Sequence, residues 1–163
     1  MTPSPRRALV VTVSTRGASG ERDDTAGPLV VDGLRAAGFE VTGPLVVADG
    51  PPVGAALRSA VAQGFDVVVT TGGTGVTPND VTPEQTRPLL DRELPGISEA
   101  IRARGVADGV PMAVISRGLA GVSGTTVIVN LPGSPKAIPD GLAVLTPVLG
   151  HLVDQVRGGD HPA

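Results

Sequence analysis

Asp66-Val67-Val68-Val69-Thr70-Thr71-Gly72-Gly73-Thr74-Gly75 is a run of β-branched residues that passes straight into glycines. An unbroken apolar run of this kind reads as a strand buried on both faces, the parallel strand of an α/β fold. The glycines allow positive φ and let a ligand come close to bare backbone amides. In open α/β sheets the ligand lies outside the carboxyl ends of the strands, where this loop should sit.

Two further stretches repeat the arrangement. Residues 8–13 read as a buried strand followed by a polar loop over 14–24, and residues 126–130 read as a strand that ends in Leu131-Pro132-Gly133-Ser134-Pro135. Amphipathic stretches separate the strands. A helix is predicted over 25–37, with Leu29, Val30, Leu34 and Ala37 on one face, Asp24 as its cap and Gly38 as its stop. A second strand over 39–47 is interrupted by Gly43-Pro44, and a helix over 53–63 follows. Thr82 is expected to cap a helix that has Pro83 in its first position, with Gln85 completing a capping box. Helices over 97–104 and 139–156 complete the reading, the last one bent at Pro147. Strands alternating with helices imply an α/β fold in three layers, α/β/α, with a mostly parallel sheet. One domain over 6–157 is expected, with flexible termini at 1–5 and 158–163.

Composition narrows the function. The 163 residues suffice for one domain that buries ~70% of its unfolded surface. The chain has two Phe and no Trp or Tyr, so single-stranded nucleic acid would find no aromatic platform. The net charge of -3 offers no basic footprint for a phosphate backbone. The absence of cysteine excludes thiolate nucleophiles and zinc-thiolate sites. The two histidines, His151 and His161, are near the C-terminus with no serine elbow to serve. The apolar run at 8–13 is too short for a signal peptide or a membrane span, so the expected location is cytoplasmic. The 13 basic residues are 12 Arg and one Lys, Lys136.

The candidate chemistry sits in the loops. Gly72, Gly73, Thr74 and Gly75 can cradle phosphate, although a bare Gly-Gly-Thr-Gly is equally well read as a tight turn. Its spacing matches neither a P-loop nor a dinucleotide fingerprint. Asp80 reads either as a turn or cap residue or as a magnesium ligand beside a phosphate. Asp49 follows the second strand and is expected on the same sheet edge; it could supply a second carboxylate, but its position alone favours an ordinary turn residue. Asn130-Leu131-Pro132-Gly133-Ser134-Pro135-Lys136 reads as a proline-rich connector or as a second anion loop. Its lysine is one that arginine has not replaced.

Taken in order, Thr71-Gly72-Gly73-Thr74-Gly75, Asp80-Val81-Thr82-Pro83-Glu84, Asp91-Arg92-Glu93-Leu94-Pro95-Gly96, Glu99, Arg102, Ser116-Arg117 and Asn130 to Lys136 resemble the MogA/MoaB family of molybdenum cofactor biosynthesis. The resemblance implies a homotrimer, with a hexamer as the alternative, that transfers AMP from Mg-ATP to the terminal phosphate of molybdopterin. It implies Asp49 and Asp80 as catalytic carboxylates and magnesium ligands, and Gly72, Gly73, Thr74 and Gly75 as the nucleotide loop. It implies Ser14, Asp24, Ser116, Asn130, Pro132, Gly133, Ser134 and Lys136 on the molybdopterin side, and a molybdate-insertion protein as the recipient of the product. The family often has an acid where this chain has Thr15, and Ile97-Ser98 replaces the commoner Phe-Gly. A non-catalytic molybdopterin-binding or scaffold module is the alternative function, and a pyrophosphatase-like relative is a third.

Overall fold

The computed structural model describes residues 2–160. Four strands, β1 (Arg7–Val13), β2 (Glu40–Val47), β3 (Val67–Thr71) and β6 (Thr126–Leu131), run parallel. Two more, β4 (Arg92–Glu93) and β5 (Ala120–Ser123), add an antiparallel edge. The sheet order is β2-β1-β3-β6-β5-β4.

Alternation along the parallel strands sorts the apolar residues into two cores. Ala8, Val10, Val67, Val69, Val127 and Val129 face one side, packed under α2 (Gly27–Ala36), α5 (Pro95–Ala107) and α6 (Ile138–Val156). Leu9, Val11, Val68 and Ile128 face the other, under α3 (Pro51–Ala62). Both faces are covered, which is why the strands read as continuous apolar runs. The three-layer α/β/α expectation therefore holds. Among the described residues no helix is long and apolar enough to cross a membrane.

Several local expectations need correction. Strands β4 and β5 were not anticipated, because Ala120-Gly121-Val122-Ser123 is too short and too rich in small residues to register as a strand. It is held by its neighbours in the hairpin to β6, which turns at Gly124 with φ +58°. Gly43-Pro44 does not interrupt β2; the register shifts between Leu9 and Val11 and the strand continues. A proline is tolerated there because β2 is an edge strand. Leu29 is 41% exposed, and Val31 takes its place in the core. Thr82 does not cap. It lies within α4 (Thr82–Thr86), and its hydroxyl donates to the Gly72 carbonyl at 2.9 Å. Pro147 lies inside α6, as expected.

The chain ends meet at the edge opposite the ligand side. Arg157 donates through Nε and Nη2 to the two carboxylate oxygens of Asp66, at 2.9 and 2.7 Å, and reaches the carbonyls of Ser4 and Pro5. The Arg7 amide donates to the same carboxylate at 2.8 Å. Gly158, with φ +96°, ends α6: its amide donates to the Gln155 carbonyl and the Gly159 amide to the Asp154 carbonyl, closing the last turn. The expected flexible residues 161–163 and Met1, and with them His161, lie outside the described residues.

Burial pushes the Asp66 carboxyl up, but the Arg157 fork, the Arg7 amide and both positive charges outweigh it and hold it below its ordinary value. A depressed carboxylate adds stability above the unfolded pKa of about 4, and that stability is lost as pH falls through the folded value. Asp66→Asn is expected to cost about 2 kcal/mol at pH 7, or roughly 4–8 °C in Tm. Thermal melts of both proteins from pH 7 to pH 3 check this: the two Tm values should converge below about pH 4.

Candidate active site

The four parallel strands deliver their carboxyl ends to one edge. Strand β1 pairs with both β2 and β3, so the chain reverses its direction of progress across the sheet there, the crevice favoured by ligands. Two glycines make the crevice possible. A Cβ on Gly72, whose φ is +105°, would stand 2.3 Å from the carbonyl oxygen of Val13. A Cβ on Gly133 would stand 3.0 Å from the Gly72 Cα. The Thr71 hydroxyl donates to the Pro132 carbonyl at 2.7 Å, and the Gly72 amide to the Leu131 carbonyl at 3.1 Å. The loops after β3 and β6 are thus pressed together, as two separate phosphate-binding candidates in the sequence did not reveal.

Two carboxylates flank the glycine loop. A Cβ on Gly73 would come within 3.1 Å of Asp49 Oδ1, and one on Gly75 within 2.7 Å of Asp80 Oδ2. The missing methyls leave room beside each acid. Asp49 is oriented by Thr15, whose hydroxyl donates to Oδ2 at 2.7 Å and accepts from the Asp49 amide at 3.2 Å. Thr15, where the family often has an acid, therefore serves as a support. Asp80 Oδ2 accepts from the Thr77 amide at 3.1 Å. Both acids are partly exposed. Among the described residues no group of three or more His, Asp or Glu side chains converges on a metal-sized site. The donors suit magnesium, which takes one or two carboxylates and fills its other positions with water and phosphate oxygens.

Two clefts share the apposed loops after β3 and β6 as a common wall, a ridge between them. The larger, of about 450 Å³, is lined by Gly73, Thr74, Gly75, Asp80, Ser116, Pro132, Gly133, Ser134 and Lys136, over an apolar floor that includes Ile101, Met112 and Ile115. The second, of about 390 Å³, is lined by Ser14, Arg22, Asp24, Gly72, Gly73, Gly133 and Ser134. Gly73, Gly133 and Ser134 line both. The expected molybdopterin residues are accordingly divided: Ser116, Pro132 and Lys136 face the larger cleft, Ser14 and Asp24 the smaller. Lys136 is exposed and makes no ion pair among the described residues. Asp140 also lines the larger cleft, and the hydrogen bond that its protonated form donates to the neighbouring Asp108 carboxylate pushes its carboxyl up.

Three of the expected molybdopterin-side residues have side chains engaged within the fold. Asn130 is 3% exposed and is used up inside the protein. Its Nδ2 donates to the hydroxyls of Thr70 and Thr86, and its Oδ1 accepts from the Leu119 amide. It braces the sheet, with both of its side-chain donor bonds made inside the fold. Asp24 lines the smaller cleft, but both its oxygens are engaged, by the Thr12 hydroxyl at 2.8 Å and the Gly27 amide at 2.9 Å. The hydroxyl of Ser14 accepts from the Gly17 amide as the cap of α1 (Thr15–Ala18). Arg22, which lines the smaller cleft, was not singled out in the sequence, and Thr15 stood out there only as a departure from the family pattern, for isolated loop residues carry no pattern until the fold places them.

A profile described as "Probable molybdopterin binding domain" matches residues 9–151. A protein of Pyrococcus furiosus named molybdopterin adenylyltransferase is 39% identical over 91% of this chain and 89% of its own length. The molybdenum cofactor biosynthesis protein B of Escherichia coli is 38% identical over 82% of this chain and 78% of its own. The solved structure of the molybdopterin biosynthesis Mog protein from Mycobacterium ulcerans superposes with a TM-score of 0.90 at 47% identity, covering 96% of this chain and 99% of that one.

Proposed function

This chain belongs to the molybdopterin-binding protein family of molybdenum cofactor biosynthesis, and on that footing we propose that it is a molybdopterin adenylyltransferase. It joins AMP from ATP to the terminal phosphate of molybdopterin and releases pyrophosphate. The observation that carries the reading is the shared ridge: Gly73, Gly133 and Ser134 line both clefts, so two substrates seated on either side bring their phosphates to one place. The apolar floor of the larger cleft suits a flat heterocycle.

The chemistry requires no protein base. An anionic oxygen of the molybdopterin phosphate forms a bond to the α-phosphorus of ATP. The bond from that phosphorus to the bridging oxygen breaks, and pyrophosphate leaves with the electron pair. Positioning and charge neutralisation do the rest. The amides of Gly73, Thr74 and Gly75 hold phosphate oxygens, Ser134 and Lys136 orient the molybdopterin side, and Asp49 and Asp80 would hold magnesium. That ion, when bound, neutralises charge on the α-phosphate and the departing pyrophosphate. A chain without cysteine can catalyse this transfer because none of its steps calls for a protein nucleophile.

The test is direct. Purified protein with molybdopterin, ATP and magnesium should form adenylyl-molybdopterin and pyrophosphate. A folded protein that binds molybdopterin but forms no product would instead favour the binding or scaffold role. Thr15→Val, which removes the hydroxyl on Asp49, is expected to lower kcat about tenfold, the effect of one hydrogen bond to a charged group. Thr15→Ser should restore it in the same assay.

The assembly belongs to the same proposal. Val106 and Val114 are 46% and 64% exposed at the end of α5 and in the turn Pro111–Ile115, outside the larger cleft. Apolar side chains gathered this way mark an association surface, here for a homotrimer. The protein acts in the cytoplasm and passes its product to a molybdate-insertion protein.

A further inference from the structure

Arg117 stands outside the phosphate-binding loops, yet it holds the one that carries Asp80. Its backbone amide donates to the Thr74 carbonyl at 2.8 Å, and its Nε donates to the Gly75 carbonyl at 2.9 Å. Its Nη2 donates to the Asp80 carbonyl at 2.7 Å, and its Nη1 pairs with the Glu84 carboxylate. One planar guanidinium therefore joins both ends of the exposed turn 76–79 and the start of α4. Without it, the turn keeps the local bonds between Asp80 and Thr77 and the contacts of Thr82 with the Gly72 and Gly73 carbonyls. Arg117 is itself anchored. Arg102, on α5, donates to the carbonyls of Ser116 and Gly118 on either side of it, at 3.1 and 3.2 Å. The hydrogen bond from Arg117 also holds the Glu84 carboxyl below its ordinary value.

We propose that Arg117 is a positioning residue for AMP transfer, clamping the turn that carries Asp80 so that its carboxylate stays beside Gly75. The proposal rests on the adenylyltransferase reading. The fork geometry matters more than the charge: two carbonyls and a carboxylate are taken at once by a rigid set of donors, which the single ammonium of lysine cannot reproduce. Arg117 does not touch the reacting atoms. Its effect reaches them as misplacement of Asp80, and displacements of about 1 Å can cost on the order of 10²-fold in rate.

The test compares wild type with Arg117→Lys, Arg117→Ala and Glu84→Gln. Amide hydrogen exchange is read without substrate. Exchange of the amides of residues 75–81 is expected to speed up at least tenfold in both Arg117 variants, while those of β3 and β6 keep wild-type protection. In the transfer assay kcat should fall on the order of 10²-fold in Arg117→Ala and nearly as far in Arg117→Lys. The magnesium concentration for half-maximal rate should rise, and KM for molybdopterin should stay within a factor of about two. Glu84→Gln, which keeps both carbonyl bonds of the arginine, should lose less than tenfold. Unchanged exchange in 75–81 would overturn the clamp, and would do so even if wild type transferred no AMP and the adenylyltransferase reading itself had failed. Faster exchange with wild-type kcat and magnesium dependence, or protection lost equally from β3 and β6, would overturn the positioning role.

Discussion

Asp80→Asn is expected to slow AMP transfer by about 10²–10³-fold, the usual effect of removing one charge-stabilising group from a transition state. The fold should be undisturbed. Asparagine keeps an oxygen to accept from the Thr77 amide at 3.1 Å, and the backbone bonds at residue 80, the Asp80 amide to the Thr77 carbonyl and the Asp80 carbonyl to Arg117, do not involve the side chain. What disappears is the negative charge beside Gly75. The expected pattern is a large fall in kcat, a weakened response to magnesium and an unchanged affinity for molybdopterin measured without ATP. Wild-type turnover in Asp80→Asn would remove Asp80 from the chemistry and leave Asp49 alone as the metal-side carboxylate.

Gly72→Ala should have the largest effect on stability. Its φ of +105° is costly for any residue with a Cβ, and that Cβ would stand 2.3 Å from a backbone oxygen of β1, which cannot turn aside as a flexible side chain could. The expected cost is about 3 kcal/mol or more, a fall in Tm of roughly 6–12 °C. Gly20→Ala is the internal control. Gly20 also has positive φ, +81°, but nothing lies within 4 Å of its Cβ position, so it isolates the conformational term, about 1 kcal/mol. Thermal melts of the two variants separate strain from collision. Equal losses would mean that the close approach of β3 to β1 at the crevice does not constrain the fold. Activity should fall further in Gly72→Ala than stability alone explains, because Gly72 also accepts the Thr82 hydroxyl that seats α4 beside the loop.

Much of this was legible along the chain because it is local. Valine and threonine in unbroken runs mark strands buried on both faces, and glycine directly after such a run marks a backbone that turns sharply at the sheet edge. From those signals came the α/β class, the parallel strands, the location of the ligand edge and the ordered motifs that carry the family resemblance. Asp80 and the glycine loop stood out as candidates from position, Asp49 only through the family resemblance, and the tertiary structure puts both acids beside glycines of that loop.

The tertiary structure decided the rest, because it depends on pairings between residues far apart in sequence. Nothing near Asn130 announces that Thr70, Thr86 and Leu119 will enclose it, and a buried amide looks the same in sequence as one that faces a ligand. Thr15 becomes the support of Asp49 only when β1 and β2 lie side by side. The antiparallel edge of β4 and β5 exists because β6 offers it a partner, its own residues having too little strand preference. Arg117 matters for the same reason: its three side-chain bonds reach back across more than thirty residues to Gly75, Asp80 and Glu84. Local composition sets backbone preference and burial, whereas which donor meets which acceptor is decided when the strands take their order in the sheet.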